Sequence, residues 1–320
     1  MFSAIIIFII GLVLLIKGAD FLVDGASDLA KDFGVSRWVI SVTIVAFGTS
    51  LPELTVSVIS AINGVGDIAL GNIIGSNIAN IGLVLGLSAL LLPIAIRGAI
   101  IKKEMLFVMI SSFLIVLLPI GLFAVKTDLI ARVGRIEGLV LLLVFAAFVY
   151  YIIRDAKEHA KSKKAIEKNK HPELKCSSKH LAIVMLGIAG TVVGAKFVVD
   201  SGVSIAKFLG VSEAVIALTL IAIGTSLPEL VTCVVAALKK KVDIAVGTIV
   251  GSHVFNALWI IGISALIKPF SVVRSLTIDA FVMVIFSFGL LIIVLTGKKI
   301  TRWHGALLLA GYLVYIGLLF

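Results

Sequence analysis

Charge is scarce in this chain. Of its 320 residues, 14% are charged and 60% hydrophobic, where a soluble domain carries roughly 25% and 45–50%. That deficit excludes an ordinary soluble protein and leaves a polytopic membrane protein, with the lipid bilayer as its surroundings. Cysteine is nearly missing: Cys176 stands in a polar stretch and Cys233 in an apolar one, so no disulfide is expected. The five histidines are scattered, which removes support for a Zn²⁺ or Cu⁺ centre. No Gly-x-x-x-x-Gly-Lys-Ser/Thr loop occurs, so ATP-driven pumping is not expected. Nothing points to an enzyme, a cofactor or an obligatory protein partner. Nor does the net charge of +10 point to nucleic acid, because the basic residues lie between apolar runs, where they orient the chain in a membrane. The first apolar run has neither a basic n-region nor a small-residue cleavage site and is expected to be retained as a helix.

Long apolar runs are what the chain has instead. A spanning helix takes about 20 mostly apolar residues. By that measure helices are predicted near 3–30, 37–61, 68–92, 104–125 and 136–153, then near 181–208, 213–238, 244–267, 274–296 and 302–319. The fold expected is an all-α polytopic membrane protein of ten spans, five on each side of a charged stretch. That stretch, 154–179, holds nine Lys and Arg. The positive-inside rule makes it cytoplasmic and places both termini outside a cell membrane. Lys31, Arg37, Arg97, Lys102, Lys103, Lys239 to Lys241, Lys298, Lys299 and Arg302 then fall inside, and only the 126–135 connection dissents. A regulatory or lipid-binding role for the stretch is weighed against a plain solvated linker, and the linker is preferred.

Residues 18–80 and 194–256 align without a gap at an offset of 176 (229 − 53 and 256 − 80 alike), with about half the positions identical. The chain is therefore read as 1–153, a first repeat; 154–179, the basic loop; and 180–320, a second repeat. Five helices per repeat is an odd number, so the second copy would enter the membrane inverted, an architecture of secondary transporters with a midplane ion site.

The two copies share Gly-Thr-Ser-Leu-Pro-Glu-Leu, at 48–54 and 224–230. A carboxylate near a bilayer centre costs roughly 2.5–3.5 kcal/mol on insertion scales and marks function by default. Pro52 cannot donate to the carbonyl of Gly48, so the helix must kink or break and the carbonyls of Ala46 to Thr49 need new partners. Thr49 and Glu53, four apart, share a face, and Ser50 adds a hydroxyl; Pro228 does the same for Ala222, Thr225, Ser226 and Glu229. A hard cation such as Ca²⁺ takes about 6–8 oxygens, and this set supplies them. An ordinary helix kink would explain one such proline, but hardly two in register beside a glutamate.

The following helix carries Asn72, Ser76 and Asn80 on one face, matched by Thr248, Ser252 and Asn256. Ser76, Asn80, Ser252 and Asn256 are read as ligands, Asn72 and Thr248 as interhelical hydrogen-bonding groups. Gly71 and Gly75, with Gly247 and Gly251, would permit close helix approach. Asp24 and Asp200 lie toward helix ends, where water or a basic partner is expected. His253 replaces Asn77 and is taken as a bystander on the packed face, and Cys233 replaces Ser57, one small residue for another.

At these residues the chain resembles the cation/Ca²⁺ exchanger superfamily, and within it a prokaryotic Na⁺/Ca²⁺ exchanger. The resemblance covers both repeats and the ten-helix layout. It implies that Glu53 and Glu229 coordinate Ca²⁺ and share Na⁺, that oxygens of Thr49 and Thr225 complete the Ca²⁺ site, and that Na⁺ draws on Ser50, Ser226, Ser76, Ser252 and the carbonyls of Ala46 and Ala222. Asn80 and Asn256 would close the set. Several relatives carry Asp where Asn256 stands. The Gly-Asn-x-x-Glu motifs of the Ca²⁺/H⁺ branch are absent, yet Ca²⁺/H⁺ exchange remains the alternative within the superfamily and a cation channel the alternative outside it. The mechanism implied is alternating access, with the helices near 3–30 and 181–208 as candidates for the moving gate.

Overall fold

The computed structural model describes residues 2–95, 98–117, 131–166, 178–210, 222–272, 274–297 and 299–319. In chain order the helices are α1 Phe2–Asp32, α2 Arg37–Ile40, α3 Ala46–Thr49, α4 Leu51–Ile62, α5 Gly66–Ala79, α6 Gly86–Leu91, α7 Gly98–Leu117 and α8 Arg135–Ile166. They continue with α9 Ser178–Phe208, a short turn Ala222–Gly224, α10 Leu227–Leu238, α11 Val242–Val254, α12 Ile261–Ile267, α13 Arg274–Thr296 and α14 Arg302–Leu318. Among the described residues three wider π-helical stretches, Ser41–Val45, Asn80–Leu85 and Phe255–Ile260, join α2 to α3, α5 to α6 and α11 to α12. The expected all-helical membrane fold is found, with two small additions: antiparallel pairs β1 Ile94–Ala95 with β4 Lys299–Ile300, and β2 Ala131–Val133 with β3 Phe270–Val272.

Among the described residues six helices are long and apolar enough to cross a membrane, or seven if Arg37–Thr49 and Leu51–Ile62 form one broken span. The described parts of the predicted spans are helical except at Ser50, Leu92, Thr225, Ser226 and Leu319. The ends of those near 104–125 and 213–238 lie outside the described residues, as do Cys176, Arg97 and Lys298. One boundary needs correction. The helix expected to stop at residue 153 runs on to Ile166, because the charged stretch begins with strong helix formers and an Arg154–Glu158 pair one turn apart at 2.9 Å.

The chain divides into two compact units, Met1–Thr49 with Ala147–Gly251, and Ser50–Ala146 with Ser252–Phe320. In the first, α1 packs along α9 through glycine. A Cβ on Gly18 would lie 2.5 Å from the Thr191 nitrogen, and one on Gly187 would lie 2.6 Å from the Leu22 nitrogen. Gly11 and Gly25 meet α9 in the same way. Backbone thus touches backbone along the pair, which is how helices associate where lipid is as apolar as any side chain. In the second unit, α6 crosses α14 at Gly86 and Gly305, and Gly138 of α8 meets the carbonyl of Gly262 in α12.

Local conformations recur at the sequence offset. Gly34 and Gly210 both end helices at positive φ, +63° and +79°. The turns after α4 and α10 make the same three hydrogen bonds, Asn63 to Ile59, Gly64 to Ala61 and Val65 to Ser60, against Lys239 to Val235, Lys240 to Ala237 and Lys241 to Ala236. Their central residues, Gly64 and Lys240, are left-handed at φ +80° and +56°. Ser57 donates to the carbonyl of Ala69 at 3.2 Å, and Cys233 to that of Ala245 at 3.3 Å. The small-for-small swap therefore keeps its bond.

Candidate functional site

Each motif produces the break its proline requires. Ser50 (φ −83°, ψ 10°) and Ser226 (φ −88°, ψ 5°) leave helical geometry in the same way, and α4 and α10 restart with proline in their first turn. The glutamate then falls in that first turn, where the exposed N–H groups of a helix start favour a carboxylate. Glu53 and Glu229 are both wholly buried. A buried carboxyl is tolerated where it is neutralised or where hydrogen bonds, fixed dipoles or a cation offset its charge.

In the first unit, α3 ends at Thr49, whose hydroxyl turns back on the Ala46 carbonyl at 3.3 Å. A helix C-terminus presents carbonyl oxygens and carries partial negative charge. Ala46 is held there by α11: a Cβ on Gly251 would lie 2.6 Å from both the Ala46 Cβ and the Val42 carbonyl oxygen, and one on Gly247 would lie 2.7 Å from the Ser41 Cβ. The close approach expected of these two glycines is present. At Gly71 the Leu276 side chain lies 3.4 Å from an added Cβ, and at Gly75 no neighbour lies within 4 Å among the described residues. Ser226 is buried, Thr225 partly so, and Ala222 lies in the short turn before the break. Among the described residues Thr248 bonds its own helix, to the Ile244 carbonyl at 2.8 Å, and not a neighbour.

In the second unit, Asn72 of α5 donates to the Glu53 carbonyl at 3.3 Å and to the Ser57 hydroxyl at 3.1 Å. Its predicted role as an interhelical tie is the one observed, and the tie pins the turn that carries Glu53. Ser50, Ser76 and Ser252 are buried with it. Asn80 opens one π-helical stretch and Asn256 lies in another, a helix widening frequent at functional sites. Both asparagines are fully buried. Neither amide atom of Asn80 has a hydrogen-bond partner among the described residues, nor does Oδ1 of Asn256, whose nitrogen donates to Oδ1 of Asn77 at 3.2 Å. Unsatisfied buried amide oxygens are costly in a finished core and ordinary where a ligand completes them.

Asn77, Ser112 and Ser287 belong to the buried polar groups of this region, and none of them was read from the sequence as a site residue. His253, expected as a bystander, is tied by Nε2 to the Ser112 hydroxyl at 2.8 Å, which reaches the Ser287 hydroxyl at 2.9 Å. Its own carbonyl accepts from Asn77 at 3.4 Å. It is a node in a buried polar network, because a ring larger than asparagine at this position reaches across to α7. Glu104, on α7, is a third fully buried carboxylate. The polar ends of α1 found the basic partners expected for Asp24: Lys239 at 2.8 Å and Lys241 at 2.7 Å, with Asp20 also bonded to Lys239. Burial pulls the Lys239 ammonium down, but Asp20 and Asp24 together outweigh it and hold the group above its ordinary value.

A multi-span helical protein with buried acids beside helix breaks fits the class of secondary ion transporters. More particularly, this chain belongs to the sodium/calcium exchanger protein family, whose model matches residues 3–154 and 179–320. It is 34% identical to the sodium/calcium exchanger MaX1 of Methanosarcina acetivorans over 98% of either chain. It is 37% identical to the putative antiporter CaxA of Alkalimonas amylolytica, covering 100% of this chain and 99% of that one. A solved structure of the sodium-calcium exchanger NCX_Mj matches with a TM-score of 0.83 at 31% identity, over 98% of both chains.

Proposed function

We propose that this cation/Ca²⁺ exchanger couples Ca²⁺ to Na⁺, by alternating access at a site to which Glu53 and Glu229 each give a carboxylate. The observation that carries the reading is the duplicated wholly buried glutamate in the first turn of a helix restarted after a break. Thr49, Thr225, Ser50, Ser226, Ser76, Ser252, Asn80, Asn256 and the carbonyls of Ala46 and Ala222 are the oxygen donors around them. About two negative charges match one Ca²⁺, or are offset by Na⁺ ions in overlapping positions, so that binding one species displaces the other.

The same reading takes ten spans in two inverted five-helix repeats, residues 1–153 and 180–320, joined by a cytoplasmic segment within 154–179, with both termini outside. Asn80 and Asn256 are neutral, so neither adds the charge that a co-transported K⁺ or a carried proton would call for. The MaX1 and NCX_Mj names, each a sodium–calcium exchanger, support the same cation pair.

The test is ⁴⁵Ca²⁺ uptake into proteoliposomes loaded with Na⁺ or with an inert cation. An exchanger takes up Ca²⁺ only into Na⁺-loaded vesicles. Equal uptake without a counter-ion would make the protein a channel and sink the proposal.

A further inference from the structure

The neutral amide at position 256 raises a problem that a carboxylate there would not. An amide has one oxygen and one nitrogen, and only the oxygen can serve a cation. Something must decide which end is offered, and the hydrogen bonds around α11 decide it.

The chain of polarity starts at a backbone carbonyl. His253 oxygen can only accept, so the Asn77 atom 3.4 Å away must be the donor nitrogen Nδ2. The other end of the Asn77 amide is then its oxygen. That oxygen also only accepts, so the Asn256 atom 3.2 Å from it must be the nitrogen. What remains of Asn256 is Oδ1, fully buried and without a hydrogen-bond partner among the described residues. Each step fixes the next. The Asn77 nitrogen also lies 3.6 Å from the Met283 sulfur, a weak acceptor that favours the same orientation.

The relay runs in one direction only. At the repeat offset of 176, Asn77 corresponds to His253 and Asn80 to Asn256, so the reciprocal bond would join Asn80 to His253. It is not formed: both Asn80 amide atoms and His253 Nδ1 are buried without hydrogen-bond partners among the described residues. His253 is instead held from its other side by Ser112.

We infer that Asn77 is the positioning residue that turns the Asn256 side chain so that its carbonyl oxygen, and not its nitrogen, is offered to the transported cation. The inference rests on the proposed cation site and adds to it the group that sets the donor at one corner. Asn77 itself need not touch the ion. Outer groups of this kind typically change metal affinity about 10–100-fold when removed.

The experiment uses Asn77→Ala, which leaves space rather than a clash, and Asn77→Leu, which fills the volume without an acceptor. Initial rates of Na⁺-driven Ca²⁺ uptake are measured against Ca²⁺ concentration, and Ca²⁺-dependent thermal stabilisation of the purified protein gives a readout independent of transport. Both variants should raise KM for Ca²⁺ about 10–100-fold with a smaller change in maximal rate, and should weaken the thermal shift in step. Asn256→Asp supplies the rescue: a carboxylate offers oxygen at either end, so in that background Asn77→Ala should change KM by less than about threefold. An unchanged KM in Asn77→Ala, or the same rise with aspartate at 256, overturns the inference. Glu53→Gln separates the two levels. If it exchanges Ca²⁺ like the natural protein, the site reading fails. If it is inactive while Asn77→Ala keeps its KM, only the role of Asn77 fails.

Discussion

Replacing Gly18 by alanine puts a single methyl group where α1 and α9 touch backbone to backbone. The new Cβ would lie 2.5 Å from the Thr191 nitrogen, 2.6 Å from the Gly190 carbonyl carbon and 3.0 Å from the Gly187 oxygen. Comfortable contact between non-bonded atoms begins near 3.5 Å, so the helices must part by roughly 1 Å at that level, and a gap of that size forfeits about a quarter to a half of each nearby dispersion contact. None of the three atoms can swing aside, since all belong to backbone. Overpacking of this kind costs about 1–3 kcal/mol. Alanine also gains about 0.8–1.0 kcal/mol of helix propensity over glycine, which partly hides the loss. Gly289→Ala in α13 isolates that gain, because nothing described lies within 4 Å of its Cβ. The difference in unfolding free energy between the two variants in detergent should be about 1–3 kcal/mol, with Gly18→Ala the less stable. Equal stability would refute the close-packed α1–α9 pair and remove its candidacy as a gate that moves as one body.

Glu53→Gln or Glu229→Gln should nearly abolish Ca²⁺ uptake in proteoliposomes, because a divalent ion is then left under-compensated in a low-dielectric site, whereas Asp24→Asn should be milder. The cluster of Lys239 and Lys241 on Asp20 and Asp24 is partly exposed, and Lys241→Ala should cost about 0–1 kcal/mol, less at high salt, as read by thermal unfolding. Lys239 titrates above its ordinary value when folded, so the stability it adds is full below the unfolded pKa and is lost as pH rises through the folded one; alkaline unfolding of Lys239→Met should lack that component. A cysteine at Gly64 should react with an impermeant thiol reagent from outside and Cys176 only from inside; labelling of both from one side would contradict the inverted repeats.

Features set by a residue's own helix were legible in the sequence. Pro52 and Pro228 break their helices because the ring removes a donor wherever the chain goes, and Asn72 faces α4 because a spacing of four keeps it on one side of α5. Asp24 was legible too, since a carboxylate at a helix end seeks the nearest cation. What was not legible was which particular residue lies opposite across a helix crossing. Asn77 meets Asn256, and His253 meets Ser112, across 179 and 141 residues of chain. Periodicity names a face and not the neighbour opposite it. Glu104 follows Lys102 and Lys103 at the start of a predicted span, and packing buries it. The helical continuation to Ile166 was hidden for a different reason. Hydropathy measures where a helix leaves lipid, and helix propensity carries it further.

The central claim is that Na⁺, and not a proton, moves Ca²⁺. The measurement is ⁴⁵Ca²⁺ uptake into one batch of proteoliposomes under an outward Na⁺ gradient without K⁺, and under an outward proton gradient in Na⁺-free buffer, each with the potential set by a selective ionophore. Uptake under the Na⁺ gradient alone is expected. If more Na⁺ charge than Ca²⁺ charge moves per cycle, the rate should also respond to potential, at about 2.3 kcal/mol per excess charge per 100 mV. Uptake driven by protons without Na⁺ would contradict the account, and Glu104 and His253 would then be the first residues to replace.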